Sequence, residues 1–352
     1  MNLSFYKDKT ILITGHTGFK GTWLSKILIN AGAKVIGYSL EPPTSPSLFA
    51  LSKIEGQMIS IIGDIRNYDK LKKVFDEYQP ECVFHLAAQP LVRESYVNPK
   101  YTYETNVIGT VNILECVRLT SSVKSFLNVT TDKVYFNDDV PDHAFKEEEP
   151  LDGYDPYSNS KSCSELVTHS YKKSFFGDLK CAVSTARAGN VIGGGDFAKD
   201  RIIPDCIRAV EKKEVIKVRN KYSTRPYQHV LEPLFIYLKI VQKQYYDKSF
   251  EGYYNIGPDD CDCVSTGVLV DMFCKAWGED ATWESTENNG PHEAAFLKLD
   301  NSKVKHVFDW QPRWHIFEAI DQIVKWTKIY LKDNTLIPEE MDKEIMEFFN
   351  GE

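Results

Sequence analysis

The sequence has no apolar run of the roughly 20 residues that a bilayer-spanning helix needs. Its first residues, MNLSFYKDKTILITG, pass straight into a strand pattern, without the basic stretch and apolar core of a secretion signal. A cytoplasmic location with no membrane partner is the expectation. Basic charge is not in excess: 42 Lys and Arg stand against 50 Asp and Glu, a net charge of −8 with neutral His. That balance disfavours nucleic acid as a partner, while a few local arginines can still hold one small anion. Cysteine is sparse, eight in 352 residues. Only Cys261 and Cys263 are close, and one intervening residue with no second pair is a poor zinc pattern. Most of the cysteines sit among apolar neighbours and read as small hydrophobes. No metal site is predicted, and no internal repeat or low-complexity tract appears.

What is present is alternation. Short apolar runs at 9–14, 34–39, 58–63, 81–87, 125–130 and 179–185 read as buried strands. Helical patterns at 20–30, 69–78, 99–119 and 157–176 fall between them. Strand, crossover helix, strand, repeated, predicts an α/β fold: a doubly wound, mostly parallel Rossmann-type sheet. The regularity loosens after Arg187. Helices at 202–211, 230–242, 266–277 and 314–331, with a strand outside the main sheet at 215–218, predict a smaller mixed α/β C-terminal lobe. The expected division is a dinucleotide-binding domain over 1–190, completed by part of 230–258, and a substrate-binding lobe over 191–335. The acidic stretch at 336–352 reads as a solvated helix.

The first strand runs into Gly15-His16-Thr17-Gly18-Phe19-Lys20-Gly21. Glycines every third residue let a turn approach a pyrophosphate closely, and the helix that follows offers free N–H donors to it. The acid that usually holds the adenosine ribose at the end of the second strand is missing: that end reads Gly37-Tyr38-Ser39-Leu40. Ser39 neither accepts a ribose twice over nor repels a 2′-phosphate, so NAD and NADP both remain open on chemistry. Asp64 and Ile65, after the third strand, are placed to meet the adenine. Leu86, Ala87 and Ala88, after the fourth, supply a small-residue wall.

Tyr157 and Lys161 are four apart on a predicted helix and share a face. An ammonium beside a phenol favours the phenolate, which predicts a Tyr pKa drawn down from about 10 toward the working range. Thr131, Asp132 and Lys133 follow the fifth strand at its carboxyl end, where doubly wound sheets hold their ligands. Thr131 is a hydroxyl partner for substrate, and Asp132 a candidate acid if burial raises its pKa. Asp132 as a turn cap is the plain alternative.

These motifs, in this order and spacing, resemble the extended short-chain dehydrogenase/reductases, and within them the nucleotide-sugar 4,6-dehydratases. The likeness spans nearly the whole chain. Stretches 15–23 (GHTGFKGTW), 131–135 (TDKVY), 186–199 (ARAGNVIGGGDFAK), 201–206 (RIIPDC) and 224–233 (TRPYQHVLEP) are similar to the branch acting on CDP-glucose. The resemblance implies NAD held as a prosthetic group, with Asn106, Tyr157 and Lys161 among its contacts. Tyr157 would take the C4 hydroxyl proton, and Asp132 would protonate the C6 oxygen as it leaves. Many relatives place Glu next as the C5 base, whereas this chain has Lys133, so the base is Lys133 or another group. Substrate contacts would come from His85, Gln89, Arg93, Asn190 and His229, with Arg208, Arg219 and Arg225 for the diphosphate. The implied assembly is a homodimer through helices 99–119 and 157–176, with a dimer of dimers as the alternative. An epimerase or another dehydratase on the same fold is the near rival, and a cofactor-binding scaffold without turnover the distant one.

Overall fold

The computed structural model describes residues 3–178, 180–278, 281–286 and 296–350. Seven strands form its main sheet: β1 (Thr10–Thr14), β2 (Lys34–Ser39), β3 (Ile59–Ile62), β4 (Cys82–His85), β5 (Ser125–Thr131), β6 (Ala182–Ala188) and β7 (Tyr253–Ile256). Their order is β7-β6-β5-β4-β1-β2-β3, and every pairing is parallel. Ile11, Leu12 and Ile13 of β1 are fully buried, as a strand covered on both faces requires. Residue 179, where the sixth strand was expected to begin, lies outside the described residues, and β6 starts at Ala182.

Crossover helices cover both faces. On one side α1 (Phe19–Asn30) packs into a core that includes Trp23, Ile27, Leu127 and Tyr237. On the other, α2 (Tyr68–Tyr78), α3 (Pro99–Tyr103) and α4 (Gly109–Arg118) accompany a core of Phe75, Ile113, Leu114 and Phe126. A π-helical turn at Glu104–Ile108 joins α3 to α4, so the long helix expected at 99–119 is present but underwound in its middle. The fifth helix, α5 (Pro156–Phe175), starts on Asp155, whose Oδ1 accepts from the Ser158 nitrogen at 3.0 Å and whose Oδ2 accepts from the Ser158 hydroxyl at 2.6 Å. Asp155→Ala is expected to cost about 1 kcal/mol, the usual worth of an N-cap; a urea midpoint within error of the parent would remove that role.

The smaller lobe is built from α6 (Ile202–Glu211), α8 (Thr266–Trp277) and α9 (Ile316–Lys332), around Ile203, Cys206, Phe273, Ile320 and Ile323. Between α6 and α8, α7 (Leu231–Tyr246) returns to the main core. The strand expected at 215–218 is Ile216–Val218, outside the main sheet and parallel to Trp283–Ser285.

One expectation fails. The acidic stretch is not a solvated helix. As α10 (Ile337–Asn350), it buries Ile337, Met341, Ile345 and Phe348 in the same core as α1. Lys26 of α1 meets Asp342 at 2.9 Å. Two of its acids are also inside: Glu340 lies 3.1 Å from Lys325, and Glu344 lies 3.0 Å from His229. The apolar residues recur at helical spacing, so a buried stripe exists beneath the acidic composition. Residues 351–352 of that stretch lie outside the described residues.

Candidate active site

The chain leaves β1 toward β2 on one side and returns to β4 on the other, which opens a crevice at the carboxyl ends of these strands. There lies a cavity of about 1250 Å³ reaching into the smaller lobe. The glycine turn is one wall. Gly15 has φ +79°, and a Cβ on it would sit 2.8 Å from the Ala87 nitrogen. A Cβ on Gly21 would sit 2.0 Å from the Gly15 oxygen. Gly18 caps α1 without a side-chain hydrogen bond, which leaves first-turn N–H groups for a ligand. This cradle fits a dinucleotide pyrophosphate. Thr17, Phe19, Lys20, Ser39, Asp64, Ile65, Leu86, Ala87 and Ala88 also line the cavity. Thr17 Oγ1 donates to the Leu40 oxygen at 2.8 Å and lies 2.9 Å from Ser39 Oγ. Arg66 pairs with Asp64 at 2.7 Å, and its hydrogen bonds hold that carboxyl below its usual pKa.

The fifth strand and α5 bring the chemistry to the same place. Thr131, Asp132, Lys133, Tyr157 and Lys161 all line the cavity. Asp132 is 1% exposed, and burial raises its pKa. Its Oδ1 accepts from Thr131 Oγ1 at 2.9 Å, whereas its Oδ2 is buried without a partner. A Cβ on Gly189 would come within 3.3 Å of that oxygen, so glycine there keeps the approach open. Lys161 donates to the Val129 oxygen at 3.0 Å, and burial pushes its pKa down to about 8. Tyr157 departs from expectation. Burial pushes its phenol up to about 12; Asp132 adds to the rise, while Thr131 and Arg201 offset part of it. Lys161 is spent on a β5 carbonyl instead of lowering the phenol.

Other expected contacts divide. Gln89, Arg93, Asn190, Arg219 and Arg225 line the cavity. The Gln89 amide already bonds Leu91 and Thr102, and Arg93 and Arg219 lie 3.6 and 3.1 Å from Asp200. Four residues do not line it. His85 is buried beside β1, its Nδ1 2.8 Å from Thr14 Oγ1, and burial drops its pKa to about 3. Asn106 clamps the loop after β4 through both the nitrogen and the oxygen of Gln89 and also bonds Ser160. Arg208 donates to the Phe197 and Ala198 carbonyls. His229 packs against Trp314 and Glu344 in the core. In each case the side chain is engaged with the scaffold. Conversely, Arg201 lines the cavity, 2.8 Å from Asp196 and electrostatically coupled to Tyr157 and Lys20. It lies in the RIIPDC stretch, but nothing local sets it apart, because Tyr157 is far away in sequence.

Residues 12–323 match the family model described as GDP-mannose 4,6 dehydratase. The chain belongs to this family. The CDP-glucose 4,6-dehydratase of Salmonella typhimurium strain LT2 is 47% identical over 341 residues, covering 95% of this chain and 94% of that protein. Two solved structures share the fold at 21% identity. A UDP-glucose 4-epimerase of Thermotoga maritima, with UDP-glucose, has TM-score 0.79 and covers 92% of this chain and 99% of its own. A dTDP-glucose 4,6-dehydratase of Bacillus anthracis, in complex with NAD, has TM-score 0.76 and covers 94% of this chain and 99% of its own. The doubly wound α/β sheet is thus the scaffold of this GDP-mannose 4,6-dehydratase family member.

Behind the cavity wall, the family fold here holds a buried ion pair. Glu165, one turn beyond Lys161 on α5, lies 3.0 Å from Arg187 of β6. Glu165 also accepts from Thr130 at 2.5 Å and Thr185 at 2.7 Å, and Arg187 donates to Tyr135 at 2.8 Å and the Glu147 carbonyl at 2.9 Å. The pair ties α5 to β5 and β6.

Proposed function

We propose that this chain is a nucleotide-sugar 4,6-dehydratase that converts CDP-glucose to CDP-4-dehydro-6-deoxyglucose and water, with NAD as resident cofactor. The observation that carries the reading is Asp132. It is a buried carboxyl with a raised pKa and one unspent oxygen, set between Thr131 and Lys133 on the wall that also holds Tyr157. Inverting C4 needs no such acid, but expelling a C6 hydroxyl does. The near-full-length identity to the Salmonella enzyme supports CDP-glucose as the substrate.

Tyr157 must first give up its own proton, since burial pushes the phenol up to about 12; as phenolate it takes the C4 hydroxyl proton as C4 is oxidised, and Thr131 orients that hydroxyl. The nicotinamide, when bound, supplies the acceptor for the C4 hydride and its return to C6. The C4 ketone acidifies C5, and that proton goes to Lys133 as the neutral amine or to another group. Asp132 gives its proton to the C6 oxygen, which leaves as water. The C5 proton is then restored, the proton gained at Tyr157 balances the one given up by Asp132, and no net redox change remains. Arg225 is the cavity cation we assign to the diphosphate, since its planar fork suits phosphate oxygens. Residues 1–190 would form the cofactor half and 191–335 mainly the substrate half.

Incubation with NAD and, separately, CDP-glucose, dTDP-glucose, UDP-glucose and GDP-mannose tests the reading by mass spectrometry. Loss of one water from CDP-glucose is expected. Loss from another donor alone would overturn the base specificity, and isomerisation without mass change would make the chain an epimerase.

Lys20 carries a further prediction. Burial first, then Arg201 and Lys161, push its pKa down to about 7, against a smaller upward pull from Asp132. Its charge favours an anionic ligand and is present below that pKa. NAD affinity is therefore expected to be highest below pH 7 and to fall by up to about tenfold per pH unit above it. The fall ends where the bound-state pKa is reached. Calorimetric titration across pH should show the slope, and Lys20→Met should flatten it. An equal slope in both proteins would remove Lys20 from the pyrophosphate site.

We also place two copies face to face through α3, α4, the π-helical turn that joins them, and α5, where Ile108, Leu166 and Phe175 are about half exposed. Sedimentation at twice the chain mass is the expected result, and a monomer at micromolar concentration would refute it. A cytosolic setting suits eight unpaired cysteines. Among the described residues, no helix is long and apolar enough to cross a membrane.

A further inference from the structure

Cys261 gains a neighbour that lies 54 residues further along the chain. His315 stands at the start of α9, and its Nδ1 is 2.9 Å from Asp262 Oδ2 and 4.0 Å from Cys261 Sγ. The third edge, Cys261 Sγ to Asp262 Oδ2, is 3.7 Å. The three donor atoms thus form a compact triangle on the outer face of the smaller lobe.

We propose that Cys261, Asp262 and His315 form a binding site for a zinc-class divalent cation. Zinc binds sulfur at about 2.3 Å and nitrogen or carboxylate oxygen at about 2.0–2.2 Å in tetrahedral geometry. Those bonds put sulfur about 3.6 Å from each of the other two donors, and nitrogen about 3.4 Å from oxygen. Each measured edge is within about half an ångström of its target. The adjustment is in the expected direction: the cation replaces the proton shared by His315 and Asp262, so that edge opens while the sulfur edges close.

The donors are also prepared unequally, as an open site needs. The Asp262 side chain is 4% exposed, and its Oδ1 accepts from the Ile316 nitrogen at 2.9 Å, which fixes Oδ2 toward the site. His315 is 49% exposed and Cys261 is exposed, which leaves the outer coordination position to water. A sulfur, nitrogen and oxygen set suits zinc or cobalt better than magnesium or calcium, which prefer oxygen alone. Binding releases the Cys261 thiol proton. Helix capping accounts for the contacts of Asp262 and Glu318 at the start of α9, but it does not need a sulfur 3.7 Å from the carboxylate.

The site joins α9 to the strand Cys263–Ser265, which pairs with Thr224–Pro226 and so backs Arg225 at the cavity. The test uses the full chain, stripped by chelator and titrated with Co²⁺. A near-ultraviolet thiolate-to-cobalt absorption saturating at one equivalent is expected. Cys261→Ser should abolish it, His315→Ala should weaken binding at least tenfold, and Cys263→Ser should leave it intact, since Cys263 bonds the Asp259 carbonyl instead. Zn²⁺ should displace the cobalt and raise the thermal midpoint of the parent but not of Cys261→Ser. No thiolate absorption, absorption that survives in Cys261→Ser, or an equal zinc-induced shift in both proteins would overturn the site.

Discussion

Asp132→Asn is expected to lower turnover of CDP-glucose by about 10²–10⁴-fold, the usual worth of a positioned general acid. Asn keeps the size of the carboxyl and an oxygen for Thr131, so the Oδ1 contact at 2.9 Å survives. What disappears is the proton for the departing C6 oxygen. C4 oxidation does not need that proton, so reduced nicotinamide should accumulate in a single-turnover absorbance trace instead of returning to baseline. The thermal midpoint should hold or rise, because the parent buries an unpartnered carboxyl oxygen. The pH profile adds a check. An acid works only while protonated, and burial raises the Asp132 pKa. Activity in the parent should therefore fall as pH rises through that raised value, and the Asn variant should lack this limb. Full turnover in Asp132→Asn would sink the assignment.

Arg187→Met is expected to cost about 3–5 kcal/mol of stability, because it strands a buried carboxylate. The side chains of Glu165 and Arg187 are 1% and 3% exposed, so neither recruits water when its partner goes. Glu165→Gln combined with Arg187→Met should recover part of the loss, since the uncompensated charge is then gone. Urea denaturation of the parent, the two single variants and the double measures the coupling. Since Glu165 sits one turn past Lys161, the Arg187 variant should also lose activity beyond its loss of folded protein. A loss below about 1 kcal/mol would mean that the pair is structurally idle.

What could be read from the sequence was local. The strand runs, the glycine turn, Thr131 beside Asp132, and Tyr157 four residues before Lys161 are patterns within a few residues, and the structure gathers them around one cavity. What could not be read depended on which way a side chain faces. His85, Asn106 and His229 lie beside motif residues and looked like ligand contacts, yet each turns into the scaffold. The Tyr157 phenol was expected to be lowered by Lys161, but that amine is committed to the Val129 carbonyl. Composition misled at 337–350, where acids outnumber the apolar positions that carry the burial. Arg201 and His315 depend on partners distant in the chain, which spacing rules do not reach.

The docking of α10 has a consequence for the order of events during synthesis. Trp23, Leu24 and Ile27 of α1 share one core with Ile337, Met341 and Phe348, and α10 also packs on the short helix Leu48–Ser52. Some of the first helices to leave the ribosome are thus covered by a segment made roughly 15–60 s later at ordinary elongation rates. Until it arrives, the dinucleotide half presents an unfinished apolar surface beside its own phosphate cradle. A nascent chain stalled before residue 337 should hold chaperone, and one extended past residue 350 should release it.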